Sequence, residues 1–239
     1  QVVITISHAG YIKRTPLSEY KTQNRGGVGQ KSAGTRDQDF LEHMYVATNH
    51  QYMLFFTQKG KCFWLRVYEI PEGSKQAKGR AIQNLINIEN DDKVKAFICT
   101  QDLRDETYTG NHYIVMCTKQ GQVKKTSLEQ YSRPRQNGIN AITIKEGDEL
   151  LEAKLTDGNS KVLIAAKNGK MVRFDESKTR PMGRTASGVR GIKLAGENDE
   201  VIGLVTVSDL ESEILVVSEN GYGKRSSLDA YRETNRGGK

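Results

Sequence analysis

A chain of 239 residues with 36 Lys and Arg against 29 Asp and Glu carries a formal net charge of +7, which favours a polyanionic partner, nucleic acid ahead of acidic lipid or protein. Its length suits one large all-β domain or two small ones, and no apolar run approaches the roughly 20 residues of a membrane helix. Cys62, Cys99 and Cys117 are odd in number and irregularly spaced, so they are expected to be buried thiols of a reducing cytoplasm and neither a disulfide framework nor a zinc site. With Gln1 at its start and no signal segment, the chain is read as a cytoplasmic domain of a longer protein.

The first element is a β-hairpin, VVITISHAGYIKRTPLSEY over 2–20, turning at Gly10. A polar stretch follows, QNRGGVGQ over 23–30, with almost nothing to place in a core. A second hairpin, MLFFTQKGKCFWLRVYEI over 53–70, turns at Gly60. The strongest helix candidate, SKQAKGRAIQNLINI over 74–88, is broken by Gly79 and ends in strand-like residues, so no helix is assigned. YIVMCTKQGQVKKTSLEQY over 113–131 is a third hairpin, at Gly121, and NAITIKEGDELLEAKLT over 140–156 is a further strand pair turning at Gly147 and Asp148. VLIAAKNGKMVRF (162–174) and EILVVSENGYGKRSSLDAY (213–231) complete the series at Gly169 and Gly221, with the strand pair GIKLAGENDEVIGLVTV (191–207) between them.

These hairpins are copies of one unit. The first, third and fifth align without a gap, matching Leu17 with Leu128 and Leu228, and Tyr20 with Tyr131 and Tyr231. A period of about 50 residues holding about four strands is the content of a propeller blade. The expected fold is therefore an all-β, propeller-like disc, one cooperative domain over 1–239 with repeats near 1–50, 51–112, 113–160, 161–212 and an incomplete 213–239. The repeated tyrosines are expected to pack, with their hydroxyls at the rim.

Charge recurs with the same period. Lys13 and Arg14, Lys124 and Lys125, and Lys224 and Arg225 are basic at two adjacent strand positions, which suits an exposed edge strand. The connectors add Arg25, then Lys78 and Arg80, Arg133 and Arg135, Arg184 and Arg190, and Arg232 and Arg236. Together they would form a basic band on one perimeter, able to neutralise phosphates of a bent duplex with little base reading. The second repeat departs, with Phe63 and Trp64 at the paired positions, and the fourth has Val172 beside Arg173. Beside Leu65 and Val67, the two rings are expected to pack and not to stack on bases.

The stretch TNRGGK (234–239) repeats the NRGG of 24–27 at the displacement that separates Gly10 from Gly221. With these repeats, YIKRTPLSEY, FFTQKGKC, YSRPRQNGINAIT and MGRTASGVRGIKL, the chain resembles the C-terminal DNA-wrapping domain of the DNA gyrase A subunit, a six-bladed β-pinwheel. The family's box, usually Q-R-R-G-G-K-G, matches Gln23, Asn24, Arg25, Gly26, Gly27, Val28 and Gly29. The resemblance implies that duplex DNA is wrapped around the outer edge with positive handedness. A neighbouring segment then reaches the cleavage core in the N-terminal part of the same polypeptide, and negative supercoils follow. It also implies a bacterial, cytoplasmic A2B2 assembly in which the B subunit uses ATP and Mg2+, this chain holding no cofactor or metal and no catalytic tyrosine. Asn24 and Val28 remove two cations of the common box, which implies either weaker phosphate binding there or wrapping distributed over other blades. Against the six-bladed pattern the chain stops early in its fifth repeat, without a sixth blade or acidic tail.

Catalytic motifs are not found. Gly29-Gln30-Lys31-Ser32 lacks the glycine that a phosphate loop needs before its lysine. Asp37 and Asp39, and Asp91 and Asp92, sit in polar turns, and His8, His43, His50 and His112 have no metal-ligand spacing. Two other readings compete: the related domain of topoisomerase IV, which binds DNA without strong wrapping, and a propeller that scaffolds proteins.

Overall fold

The computed structural model describes residues 1–23, 25–27, 29, 34 and 38–238. Repeat 1 supplies β1 (Val2–Ser7), β2 (Tyr11–Pro16) and β3 (Leu41–Ala47). Repeat 2 supplies β4 (Tyr52–Thr57), β5 (Lys61–Arg66), the two-residue β6 (Arg80–Ala81) and β7 (Val94–Thr100), followed by a short helix α1 (Glu106–Asn111). From repeat 3 come β8 (Tyr113–Thr118), β9 (Gln122–Ser127), β10 (Ile139–Asn140) and β11 (Leu150–Thr156), and from repeat 4 β12 (Lys161–Ala166), β13 (Met171–Asp175), β14 (Val189–Arg190) and β15 (Val201–Val207). Repeat 5 contributes β16 (Glu213–Val217) and β17 (Gly223–Ser227).

One turn design closes every hairpin. Gly10 donates its backbone N–H to Ser7 O at 3.0 Å with φ +86°, and Gly60, Gly121, Gly169 and Gly221 repeat the bond at 2.9 to 3.0 Å with φ between +81° and +91°. That left-handed position, after a tight turn, is the one glycine occupies without strain. A carboxylate braces four of the turns: Asp39, Asp92, Asp148 and Asp199 accept from the backbone N–H groups of Ala9, Lys59, Gln120 and Asn168 at 2.9 to 3.1 Å. Asp39 and Asp92, read from sequence as polar-turn residues, therefore have fixed positions and partners.

Each of repeats 2 to 4 holds four strands, as the sequence implies, but the four do not lie in one sheet. The sheets run β3-β1-β2-β6, β10-β5-β4-β7, β11-β8-β9-β14, β13-β12-β15 and β16-β17, so the two-residue strand of each repeat crosses to the sheet of the repeat before it. Before that crossing, the connector runs parallel to the preceding hairpin, with bridges from Arg14 to Glu72, Lys125 to Pro181 and Arg173 to Glu233. The exchange satisfies hydrogen-bonding groups that would otherwise be bare on an outer strand. β11 packs beside β7 and β15 on the inner side, which places the exchanged strands at the outer edge.

Four apolar clusters fill the gaps between successive sheets. Ile4, Ile12, Met53, Phe55 and Phe63 lie between the first two, and Leu54, Phe56, Trp64, Met116 and Leu128 between the second and third. Val115, Ile164 and Phe174 join the third to the fourth, and Leu163, Val207, Ile214 and Leu228 the fourth to the fifth. Successive residues of β4 thus face opposite sheets, which explains why all six are buried and why the strand reads as a continuous apolar run.

Burial raises the Cys62 and Cys117 thiols well above their usual range. Cys99 is only half-buried, contrary to the sequence expectation, and its thiol is pushed up to about 11 by partial desolvation. The hydroxyl of Tyr131 is not at the rim either: the side chain is fully buried, lies edge-on to Phe56 and donates to Ala141 O at 3.3 Å. Helix α1 was not expected. At six residues it shows no periodicity, and its one local signal is Asp105, whose side chain caps it by accepting from Tyr108 N–H.

Candidate nucleic-acid interface

The basic strand pairs do not form an exposed band. Lys13 is 1 % exposed and Lys124 0 %, and Lys125 is also buried, which corrects the edge-strand expectation for all three. The physical reason is the strand exchange: the next repeat's connector is laid across the hairpin and supplies both carbonyls to Lys13 and one of the two to Lys124, Ala141 of the same repeat supplying the other. Lys13 Nζ donates to Ser74 O and Lys75 O, both at 2.7 Å, and Lys124 Nζ donates to Ala141 O and Arg184 O. Burial lowers both lysines, Lys124 to about 7 with the Arg184 guanidinium adding to the shift.

The following position clamps the end of the next repeat's hairpin. Arg14 Nε donates to Ile70 O at 2.7 Å and its Nη1 meets Glu72 at 3.0 Å, leaving the side chain 18 % exposed. Trp64 Nε1 donates to Tyr131 O at 3.1 Å, and Arg173 Nη1 to Leu228 O and Tyr231 O at 2.9 and 3.0 Å. Trp64 therefore packs as expected, doing with an indole what repeats 1 and 4 do with arginine. Lys125 differs, because it pairs at 3.1 Å with the fully buried Glu176. Glu176 stands where Leu17, Val67, Leu128 and Leu228 stand in the other repeats, and it also accepts from Thr156 Oγ1 and Ser160 N–H.

Tight connector packing rests on glycine. A Cβ on Gly79 would lie 2.5 Å from Ile12 O, and one on Gly188 2.5 Å from Val123 O; one on Gly138 would meet the Phe63 ring at 2.8 Å. Each of these glycines has positive φ and sits on the first residue of the preceding clamp, Lys13, Phe63 or Lys124.

With the clamps of repeats 1, 3 and 4 internal, the expected contacts that remain accessible are those of the connectors and of β17. Lys78, Arg80, Arg133, Arg135, Arg190 and Arg232 are exposed, all on the outer edge. Arg184 and Arg236 are half-buried, because each guanidinium reaches back to the last residue of the previous exchanged strand: Arg184 Nη1 to Asn140 O at 3.2 Å, Arg236 Nη1 to Arg190 O at 2.8 Å. Arg180, also exposed on a connector, was missed, although aligning the repeats would have matched it to Arg232. Lys224 and Arg225 are exposed on β17, with Arg225 Nε 3.0 Å from Glu213.

The box repeats this connector geometry. Arg25 and Gly26 form a turn where Lys75 and Gln76, Arg184 and Thr185, and Arg236 and Gly237 form theirs. Gln23 Oε1 accepts from Gly29 N–H at 3.0 Å, which closes the loop, and Gly29 has the positive φ of Gly79, Gly138 and Gly188. Arg25, Gly26 and Gly27 are exposed, so the arginine that in repeats 4 and 5 reaches a neighbouring carbonyl faces solvent here. Asn24 and Val28 lie outside the described residues, as does Asp37. Among the described residues no group of three or more His, Cys, Asp or Glu could hold a metal ion, and no helix is long and apolar enough to cross a membrane.

A repeated, strand-exchanging β-propeller with a cationic outer edge defines a class of nucleic-acid-associated domain. The model of the DNA gyrase C-terminal domain, beta-propeller, matches residues 1–48, 51–101, 112–157, 160–208 and 212–239, and the chain belongs to that family. It is 49% identical over 240 residues to the DNA gyrase A subunit of Staphylococcus epidermidis, a match spanning 100% of this chain and 26% of that protein. Among solved structures it resembles the C-terminal domain of DNA topoisomerase IV (TM-score 0.79, 29% identity, covering 99% of this chain and 70% of that one). The DNA gyrase A C-terminal domain is as close in shape (TM-score 0.77, 27% identity, 99% and 74%). The chain thus spans about a quarter of the length of its curated relatives.

Proposed function

We propose that this chain is the DNA-wrapping element of a gyrase A subunit. The observation that carries the reading is the outer edge, where the connectors of repeats 2 to 5 present exposed arginine or lysine while the apolar clusters and the clamps face inward. Phosphates spaced along a bent duplex suit such an edge, and affinity arises there from counterion release without base-specific contacts. The proposed contacts are Arg25 with the box backbone, Lys78, Arg80, Arg133, Arg135, Arg190 and Arg232, with Arg184 and Arg236 in support. In the box, Gly26 and Gly27 are exposed and have no Cβ to hold a phosphate off the backbone, and Arg25 supplies a fork for a phosphate.

The chain has no catalytic part in this reading. It bends DNA so that the cleavage core of the same polypeptide, with a B subunit using ATP and Mg2+ in an A2B2 assembly, introduces negative supercoils in the bacterial cytoplasm. Shape does not separate this from the topoisomerase IV reading, since both solved relatives superpose equally well. The box and the 49% identity to a gyrase protein favour gyrase. Ligating nicked circular DNA in the presence of the domain, then removing protein, tests this. Circles gaining positive linking number support wrapping; salt-sensitive binding with unchanged linking number removes it.

A further inference from the structure

Three of the four junctions between successive sheets lay the next connector along the outer strand of the preceding hairpin. Arg14 N–H donates to Pro71 O at 2.9 Å and Arg14 O accepts from Gly73 N–H at 3.0 Å, while Lys125 O and Arg173 O accept from Met182 N–H and Thr234 N–H, both at 2.8 Å. Trp64 stands in the same place after its turn glycine, Gly60, and pairs with Leu54 in the register that joins Ile4 to Arg14. Its backbone N–H and C=O therefore point to the same outer edge. Neither is met there, because no backbone hydrogen bond or bridge joins Trp64 to 132–137, all of them described residues. The reason is length: Gly79 follows Ile70, and Gly188 follows Thr179, by nine residues, whereas Gly138 follows Tyr131 by seven. Beside the uncovered edge, between β5 and this short connector, lies a cavity of about 400 Å3. Leu65, Leu85 and Ile86, which belong to the apolar cluster facing repeat 1, line it together with Arg66 and Arg135. Arg66 lies over the rings of Tyr52 and Tyr68, 5.0 and 5.8 Å from their centroids, and neither arginine has an ion pair among the described residues.

We infer that the bare edge at Trp64 and the cavity beside it bind an extended peptide of a partner protein in which apolar and acidic residues alternate. The molecule itself shows what such an edge accepts: the equivalent edges are covered by extended segments, two of which bring a carboxylate, Glu72 or Glu233, to the guanidinium beneath them. An added strand takes its main-chain bonds from the open edge and sends successive side chains to opposite faces. On one face they meet Leu65, Leu85 and Ile86, which want apolar partners. On the other they meet Arg66 and Arg135, whose charge an acidic side chain complements. A duplex phosphate would suit the arginines but offers no donor to Trp64 O and no apolar group to the leucines. The inference stands apart from the DNA-wrapping reading, because it rests on the junction between two complete repeats and on Arg66, which that reading does not use.

Trp64 is the single tryptophan of the 239-residue chain, so its emission reports the site directly. The probe is a synthetic heptapeptide of alternating valine and glutamate. A saturable change in Trp64 emission is expected, with new hydrogen-exchange protection confined to β5 and 132–137. Arg66→Gln should weaken peptide binding about tenfold and leave affinity for a short duplex within about twofold. Gln136→Glu, on the exposed face of the connector, sets a like charge beside the peptide and should weaken binding about threefold; an unchanged melting midpoint certifies its fold independently of Arg66→Gln. A two-residue insertion after Arg133, which restores the spacing of the other connectors, should abolish binding. The inference is overturned by the absence of a saturable response, by equal binding of a peptide with lysine in place of glutamate, or by binding indifferent to both substitutions. It is equally overturned if Trp64 emission answers to duplex DNA, or to the concentration of the chain itself, and not to the peptide.

Discussion

The junction that β5 makes with the third repeat is built from rings, whereas the junction that β9 makes with the fourth is built from ammonium groups. Phe63 supports the connector glycine Gly138 and Trp64 donates one N–H to Tyr131 O. At the equivalent positions Lys124 supports Gly188 and binds two carbonyls, and Lys125 meets Glu176. What the fold requires is a long side chain under the glycine and a donor at the next position, not a given charge. The energetic consequences differ, since a buried ion pair gains its attraction against a large desolvation cost, and an apolar junction has no such cost.

The largest effect should come from breaking the ionic junction on one side. Glu176→Ala leaves Lys125 buried without its counter-charge and is expected to lower stability by about 3–5 kcal/mol, measured by urea unfolding. The double replacement Lys125→Met with Glu176→Leu restores the apolar knob found as Leu128 and Leu228, and should recover most of that loss. A double variant as unstable as the single would show that the fourth repeat needs the charges themselves. Next, Gly188→Ala places a Cβ 2.5 Å from Val123 O at φ +88° and is expected to cost about 1–3 kcal/mol. Trp64→Phe keeps a ring and removes the donor to Tyr131 O, for about 1–2 kcal/mol. If it costs nothing, the clamp bond in the ring-built junction is dispensable.

A pH titration separates the two junctions further. Lys124 has its ammonium lowered to about 7 by burial and by Arg184, whereas in the unfolded chain a lysine titrates at about 10. Between those values the unfolded state binds more protons than the folded one, so this group makes stability rise with pH from about 7 towards about 10. Lys13, lowered in the same direction, adds to the rise. Lys124→Met should flatten the profile measured by thermal unfolding at several pH values, while Phe63→Leu should leave its shape unchanged.

How much was legible follows from the range of the interactions. The five hairpins announce themselves locally, because β-branched runs, a polar pair and a positive-φ glycine lie close together in 2–20, 113–131 and 213–231. Packing of Phe63 and Trp64 was readable for the same reason, from Leu65 and Val67 beside them. The exchanged strands β6, β10 and β14 were not, since two residues carry no periodicity and their partners lie in the preceding repeat. That omission caused the misreading of Lys13, Lys124 and Lys125: a sequence displays their charge but not the carbonyls that a connector brings to them. Asp148 was likewise seen as a turn residue and not as a brace, though the recurrence of an aspartate at similar places, as Asp39, Asp92, Asp148 and Asp199, was a usable signal.

If DNA is bound by the connectors, and the buried lysines only hold the connectors in place, the two sets of cations must respond differently to salt. Duplex affinity as a function of salt, for Arg133→Ala with Arg135→Ala against Lys13→Met, tests this most directly. The connector variant is expected to lower the slope of log affinity against log salt by about 0.9 for each phosphate no longer neutralised. Lys13→Met, though less stable, should retain the wild-type slope while folded. A slope unchanged in the connector variant and reduced in Lys13→Met would contradict connector binding.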